Sequence, residues 1–264
     1  MAIKVSVNGN DTLEKYNAML THKEIGLCEV TTYDDWLKNA SNPLYFGKRE
    51  TYREIKLTFF VNNSDVNTAW ENISNLVVAF EKCTIKFGEC PYYYDAVIGG
   101  VDSPEEIGTG IYTLDVTLKA AYAYLPTISQ TYNLTFNGNK DSSIDVNIQG
   151  NIPVPIIVTA KLISSDTDQN LKFNVPDNAD TSINGWIKNG FIIRPLYRNL
   201  ELTVDSERCL VYQGVDFLVA NDYSSFWGDF ITMQPGSNTV PVGFESINSE
   251  VQLQLTVSYK PRFI

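Results

Sequence analysis

The chain has 264 residues, 44% of them hydrophobic and 19% charged, a globular composition that argues against general disorder. Its formal net charge of −11 argues against binding nucleic acid through phosphate contacts, although an acidic surface could line a passage that DNA crosses. The length suffices for one large domain or two ordinary ones, and the 15 Tyr and 13 Phe favour sheet over helix.

The cysteines lie in unrelated segments and form no C-x-x-C pair: Cys28, Cys83, Cys90 and Cys209. This spacing predicts reduced structural thiols rather than a disulfide framework or a zinc site, and a bridge between Cys83 and Cys90 is disfavoured. The longest apolar runs fall far short of the roughly 20 residues that cross a bilayer, and no signal-peptide pattern is visible. We therefore expect no membrane association.

The first half of the sequence predicts strands separated by polar turns. Residues 11–20 are ambiguous, with a short helical turn as one interpretation. Residues 36–47 predict a loop that carries three aromatic residues, Trp36, Tyr45 and Phe46. A polar connection is predicted at 99–108, and alternation of apolar residues predicts strands at 3–7, 24–32, 53–61, 84–87, 92–98 and 110–120.

One helix is predicted, over residues 65–80. Ser64 is a suitable N-cap, and Asp65 in the first turn complements the helix dipole. Apolar residues follow at three- and four-residue spacings, which predicts a core-facing stripe that includes Trp70. Its members are Val66, Ala69, Trp70, Ile73, Leu76, Val77 and Phe80.

The second half predicts strands only, after a linker at 126–130 that contains Pro126. Turn signals recur every 8–12 residues or so, which is typical of a β-sandwich. We therefore predict a mainly β protein with an α+β domain at 1–125, its helix on a sheet or split barrel, and a β-sandwich at 126–264. Strands are predicted at 130–136, 144–149, 156–163, 171–174, 186–194, 200–204, 209–211, 229–233 and 251–259.

No motif in the sequence predicts catalysis. The single histidine, His22, has no nucleophile motif nearby and is interpreted as a solvated loop residue. The segment 166–170 has carboxylate spacing reminiscent of a calcium loop, but Leu171 stands where such loops need glycine, so a polar hairpin loop is preferred. The adjacent acids Asp34-Asp35 and Glu105-Glu106 point apart and are interpreted as surface. We predict no catalytic, cofactor-binding or metal-binding residue and no cofactor.

The order of several phrases resembles that of phage distal tail proteins, the baseplate hub components of long non-contractile tails. In the first half these are the strand and turn at 4–9, the segment 46–50 leading into the strand 53–61, the capped helix, and Ala121-Tyr122 at the end of a long strand. In the second half, segments 200–209 and 230–238, with Gln213-Gly214, resemble the galectin-like C-terminal domain of the same family.

The resemblance implies a non-enzymatic subunit of a six-membered ring that joins tail tube to tail tip. The ring would be formed by the N-terminal domains, and the C-terminal domains would carry tip or receptor-binding proteins. The implied location is the virion tail, assembled in the host cytoplasm, with DNA passing through the ring and without specific nucleic-acid binding. We expect the exposed aromatic residues Trp36, Tyr45 and Phe46 to contribute to the ring interface.

The alternative interpretation is a carbohydrate- or receptor-binding β-sandwich that uses exposed aromatic residues as a platform. Galectins bind sugar with a histidine and arginines around a stacking tryptophan. Trp186 and Trp227 are present here, but His22 lies in the other half and no matching cluster surrounds either tryptophan in the sequence. The sugar-binding residues are therefore not carried over, and a hydrolase is a distant third interpretation.

Overall fold

The computed structural model describes residues 3–28, 30–35, 44–88, 90–176, 178–183, 185, 187–219 and 222–264, and it describes only the backbone of 30–35 and 44–50. The protein is mainly β, as predicted. It divides into two compact units, Met1–Leu125 with Phe263–Ile264, and Pro126–Arg262. The two terminal residues thus group with the first unit and not with the second, where the sequence interpretation put them.

The first unit contains two helices and ten strands of the described chain. They are β1 Val5–Val7, β2 Asn10–Asp11, α1 Thr12–Tyr16, β3 Ala18–Ile25, β4 Val30–Asp35, β5 Leu44–Glu50, β6 Arg53–Asn62, α2 Val66–Phe80, β7 Lys82–Phe87, β8 Tyr93–Val101, β9 Glu105–Gly108 and β10 Ile111–Tyr124.

Most of these strands form one sheet in the order β2-β1-β7-β8-β10-β6-β3, with β9 also paired to β10. An antiparallel bridge between Ile3 and Leu20 joins the two ends of this order, so the sheet curls into a barrel. Apolar side chains at every second strand position fill the interior of the barrel. In β6, for example, Ile55, Leu57 and Phe59 are buried while their neighbours point outwards. The turn before β2 uses Asn8 and Gly9, both with positive φ, as a type I′ hairpin turn requires.

Helix α2 packs its buried face against the barrel core. Ala69, Ile73, Leu76 and Phe80 are buried in the same cluster as the inward residues of the sheet, and the Phe80 ring lies 5.7 Å from that of Phe59. Two details of the predicted helix are wrong. The N-cap is Asp65, whose carboxylate accepts from the Thr68 backbone N–H, and not Ser64.

The second wrong detail is the position of Trp70. This side chain is 48% exposed, and its ring lies tilted against the buried ring of Tyr112 with the centroids 5.4 Å apart, so it lies at the margin of the core. Helical periodicity identifies which residues belong to the apolar stripe, but it does not show which of them are fully buried at its centre and which are partly exposed at its edge.

Three predicted segments of the first unit differ from the structure. The predicted strand 24–32 spans the end of β3 and the start of β4, with Gly26–Cys28 between them outside any strand. The predicted loop 36–47 is strand from Leu44, because β5 pairs with β4. The predicted polar connection 99–108 contains the end of β8 and all of β9, which pairs with β10.

The second unit holds the remaining strands. They are β11 Ile128–Phe136, β12 Asp141–Ile148, β13 Val154–Pro155, β14 Ile157–Ser164, β15 Gln169–Phe173, β16 Phe191–Leu196, β17 Leu202–Asp205, β18 Leu210–Gln213, β19 Asp216–Phe217, β20 Phe226–Gly228, β21 Thr232–Met233, β22 Gly236–Phe244, β23 Val251–Tyr259 and, at the junction with the last two residues, β24 Arg262–Phe263.

Most of these strands form a sandwich of two sheets with orders β11-β23-β14-β17-β18-β19 and β12-β22-β15-β16-β20. Strands β13 and β21 form a two-stranded sheet of their own, and β24 belongs to the nine-stranded sheet that also contains β10. One apolar cluster takes inward residues from both sheets, such as Val158 and Leu255 from the first and Phe173 and Val242 from the second. Strands such as β14 and β23 alternate between this core and the outside, which is the pattern of an antiparallel sandwich. Strand β16 buries Phe191, Ile192 and Ile193 in a row, because Ile192 packs into a separate small cluster with Val175 and Ile187.

The sequence predicted no strand at β13, β19, β20, β22 or β24, and several predicted strands begin or end elsewhere in the structure. Strand β22 lies between β12 and β15 in its sheet, although no strand was predicted at 236–244. Strand β11 begins at Ile128, inside the predicted linker. The predicted strand 186–194 begins only at Phe191, with Trp186 outside the described residues, and of 229–233 only Thr232–Met233 is strand.

Candidate interface surfaces

The strands β4 and β5 form a two-stranded sheet of their own. Their register pairs Val30 with Glu50 and Asp35 with Leu44. Tyr45 and Phe46 lie in β5, where the structure describes only their backbone, and Trp36 lies outside the described residues. An isolated two-stranded hairpin is marginally stable in water, so this hairpin is a candidate for packing against another chain.

A second candidate surface is a concave area on the outer face of the barrel, across β7, β8 and β10. We call it the concave face. It encloses a cavity of about 690 Å³, and its lining includes Tyr52, Lys82, Thr84, Asp95, Val97 and Lys119. Strand alternation explains the composition, since Tyr94 and Ala96 point into the core and Asp95 and Val97 point outwards.

Val97 lies at the centre of the concave face. The strand register places Lys82 directly opposite it on β7 and Lys119 directly opposite it on β10. Val97 is 47% exposed, and Tyr52, at the margin, is 36% exposed with the Lys119 ammonium 4.4 Å from its ring centroid. An apolar centre bordered by an aromatic ring and two cations is suited to contact with another protein.

The carboxylate of the concave face, Asp95, is already hydrogen-bonded within the unit. Asp95 Oδ1 accepts from the Thr84 hydroxyl at 2.6 Å and from the Tyr124 hydroxyl at 2.7 Å. Burial, and then the hydrogen bond to Asp95, raises the pKa of Tyr124. Burial, with the nearby Asp95 charge, also raises the pKa of the Cys83 thiol to about 12, so this thiol stays protonated. The arrangement is suited to binding and offers no activated nucleophile.

In the second unit, Arg194 is the centre of a polar network on the five-stranded sheet. Its guanidinium donates to both carboxylate oxygens of Glu245 and to the backbone carbonyl oxygens of Tyr223 and Thr181 at 3.2 Å. It also stacks on the Tyr223 ring at 4.1 Å. Glu245 accepts in addition from Asn170 at 2.8 Å. Since every charge here is engaged within the unit, the network holds neighbouring loops together.

The structure also locates the residues that the sequence considered and set aside. His22 is exposed but lies in strand β3, and not in a loop as predicted. Asp168, in the segment with calcium-loop spacing, accepts from the Arg198 backbone N–H at 2.9 Å. Glu105 and Glu106 are exposed in β9, and the four cysteines are free thiols.

Trp227, the described tryptophan of the second unit, is half-buried. It packs against a small cluster of Val175, Ile187 and Ile192, and its ring meets that of Tyr223 edge-on at 5.7 Å. Trp186 lies outside the described residues.

A metal cluster and a membrane-crossing helix are both absent from the described chain. Within the ranges given above, no group of three or more His, Cys, Asp or Glu lies close enough to hold a metal ion. Nor does either helix of the described part have the length and apolar character to cross a membrane.

The concave face was missed by the sequence interpretation. Its central residues come from three strands, and only the barrel register brings Lys82, Val97 and Lys119 together. The one available signal was Val97, which is apolar at an outward position of β8.

No protein-family model and no curated protein sequence matches the chain. Solved structures do match its fold. The SPP1 Dit protein (gp 19.1), described as a paradigm of the hub adsorption apparatus in phages that infect Gram-positive bacteria, aligns with a TM-score of 0.66 at 11% identity over 100% of both chains. A chain of the phage P2 baseplate, in its activated conformation with Ca, aligns with a TM-score of 0.52 at 9% identity, again over 100% of both chains. The chain therefore has, over its full length, the fold of a phage hub protein.

Proposed function

We propose that the chain is a structural subunit of a phage or prophage tail. In this proposal six copies form a ring that joins the tail tube to the tail tip or baseplate and carries adsorption proteins. The observation that supports it most is the fold likeness to the SPP1 Dit protein, which covers all of both chains and therefore includes both units. The order of sequence phrases supports the same assignment independently of the structural comparison.

The first unit supplies the ring contacts in this proposal. A closed ring needs a head-to-tail interface, in which each subunit offers two different surfaces. The β4–β5 hairpin and the concave face are two such surfaces on one unit. Both surfaces carry charges of both signs: the hairpin has Asp34 and Asp35 in β4 and Lys48 and Arg49 in β5, and the concave face has Lys82, Lys119 and Asp95.

The second unit, a galectin-like sandwich in this proposal, projects from the ring and carries other tail proteins. DNA passes through the lumen without specific binding, and the net charge of −11 disfavours adhesion of phosphate to the wall. Assembly takes place in the host cytoplasm, and the final location is the virion tail. The free thiols suit a reducing compartment.

Sedimentation velocity tests the ring and its interface together. Val97→Asp places an unpaired carboxylate at the centre of the concave face, and Val78→Asp is the matched control because Val78 is also exposed, at 59%, on helix α2 of the same unit. The full chain and the Val78 variant should sediment as a large oligomer, and the Val97 variant as a smaller species. An unmodified chain that stays monomeric up to its solubility limit contradicts the ring. An oligomeric Val97 variant assigns the contact to another surface.

A further inference from the structure

The second unit has an exposed apolar strip at one edge of its six-stranded sheet. Val215 is 93% exposed, Phe217 72% and Val219 71%, while Leu218 between them packs against the sandwich core. Val215 lies in the tight turn between β18 and β19, Phe217 ends β19, and Val219 follows it two residues later, so the three exposed side chains are close neighbours along this edge. The Tyr212 ring meets the Phe217 ring there at 5.8 Å and extends the strip. Contiguous apolar surface of this kind marks a contact site.

Among the residues that the structure describes, β19 is the last strand in the order of its sheet, so the backbone of Phe217 at this edge is available for pairing. The Leu218 N–H donates to the Val211 carbonyl oxygen at 2.9 Å, and Tyr212 lies directly opposite Phe217. Because hydrogen-bonded and non-hydrogen-bonded pairs alternate in an antiparallel ladder, the N–H and C=O of Phe217 point away from β18. An extended peptide could therefore continue the sheet beside β19.

The charges around the edge favour one kind of occupant. Between Leu210 and Ser225 the sequence has two acidic residues, Asp216 and Asp222, and no basic residue. Pairing with a second copy of the same edge would bring Asp216 towards its own equivalent, which is unfavourable. A segment with apolar side chains and Lys or Arg at its ends complements both the strip and the acids.

We propose that the β19 edge, with Val215, Phe217 and Val219, binds an extended, basic-flanked apolar segment of another protein as an added β-strand. The strip of the second unit and the ring surfaces of the first unit consist of different residues. The identity of the partner rests on the proposed function: in a phage tail, the segment belongs to a neighbouring tail protein. The edge itself is a property of the second unit and does not depend on the ring.

The test uses a fluorescent peptide of alternating Val and Thr with two Lys at each end, and fluorescence anisotropy with the full chain. Two matched peptides are compared with it, one with Glu in place of Lys and one with alternate amide nitrogens methylated. Methylation removes the N–H donors of one edge and leaves the side chains, so it separates strand pairing from apolar adhesion. We expect binding of the first peptide and at least about tenfold weaker binding of the other two, the change that removal of about one hydrogen bond or ion pair produces.

Protein variants locate the site. Phe217→Lys and Val215→Lys should each weaken binding about tenfold, because they remove apolar contact and repel the basic ends. Leu27→Lys, at a residue 83% exposed in the first unit, is the matched control and should change nothing. Absent binding, equal binding of the methylated peptide, or equal binding by the Phe217 and Val215 variants overturns the proposal. Sedimentation of the same samples reports the ring separately, so failure of the strand-addition proposal is distinguishable from failure of the ring.

Discussion

The guanidinium of Arg53, at the start of β6, donates to the backbone carbonyl oxygen of Phe263 at 3.2 Å, across 210 positions of sequence. Arg53 is buried and also lies over the Tyr94 ring, while the Phe263 ring meets Tyr92 edge-on at 5.2 Å. The last two residues of the chain therefore complete the packing of the first unit. Division at residue 126 into independently folding domains stays a prediction, and a fragment that ends at 125 lacks this contact.

Phe263→Ala should loosen the first unit selectively. The substitution removes the ring contact with Tyr92 and weakens the hold of Arg53 on the chain end. Amide hydrogen exchange should become faster in β6 and β10 and stay unchanged in β14 and β23 of the second unit. Equal exchange in all four strands, or faster exchange in the second unit alone, would show that the contact does not stabilise the first unit.

Ile73→Ala should destabilise the first unit by ~2–5 kcal/mol, because Ile73 is buried between α2 and the sheet and its truncation leaves a cavity. Val78→Ala on the exposed side of the same helix should cost less than ~0.5 kcal/mol. Urea unfolding followed through Trp70 fluorescence, with Phe in place of Trp36, Trp186 and Trp227, measures both. Similar losses for the two variants would mean that α2 does not bury the face described here.

The cap of α2 gives a pH-dependent prediction. Hydrogen bonds from the Thr68 side chain and backbone lower the pKa of Asp65 below its usual 3.8. A carboxylate with a lowered pKa in the folded state stabilises the fold above its unfolded pKa, and the stabilisation is lost as the pH falls through the folded pKa. Asp65→Ala should therefore lower the Tm near neutral pH, and the difference from the unmodified chain should shrink below pH 3.8. Ser64→Ala should have little effect on the Tm at either pH. A larger loss of Tm for Ser64→Ala than for Asp65→Ala would show that Ser64 is the N-cap, as the sequence predicted.

The Arg194 network should respond to neutralisation of Glu245. Burial alone would raise the pKa of Glu245, but hydrogen bonds from Arg194 and Asn170 and the nearby cations lower it. Glu245→Gln should cost about 1 kcal/mol near neutral pH, a charge-assisted value discounted for the partial exposure of the group. The cost should decrease as the pH falls through the lowered pKa. Glu250→Gln, at an exposed residue, is the control, and equal Tm values for the two variants would count against a stabilising network.

The sequence predicted those elements whose local pattern agrees with their final position. Strand β6 alternates without interruption and α2 has a continuous apolar stripe, and both are present within one or two residues of the predicted ends. Strand β22 was missed because Gly236, Pro241 and Gly243 normally weaken a strand. Its position between β12 and β15 is set by tertiary pairing, which overrides that local preference.

The candidate surfaces, too, could be predicted only where a local sequence pattern marks them. The aromatic residues of 36–47 predicted an interface from composition alone, and the described hairpin backbone brings Tyr45 and Phe46 into a strand without testing that role. The concave face depends on register between strands that are distant in sequence, and the β19 strip depends on which strand ends the sheet. Neither relationship is available from a single sequence, because local periodicity does not report strand order.

Electron microscopy of the purified full chain tests the proposed tail ring most directly. We expect closed particles with six-fold symmetry and a central lumen, with the second units projecting from the rim. The Val97→Asp variant should show no such particles, and the Val78→Asp control should show them. Images that contain only single-chain particles, or open filaments in place of closed rings, would contradict the account.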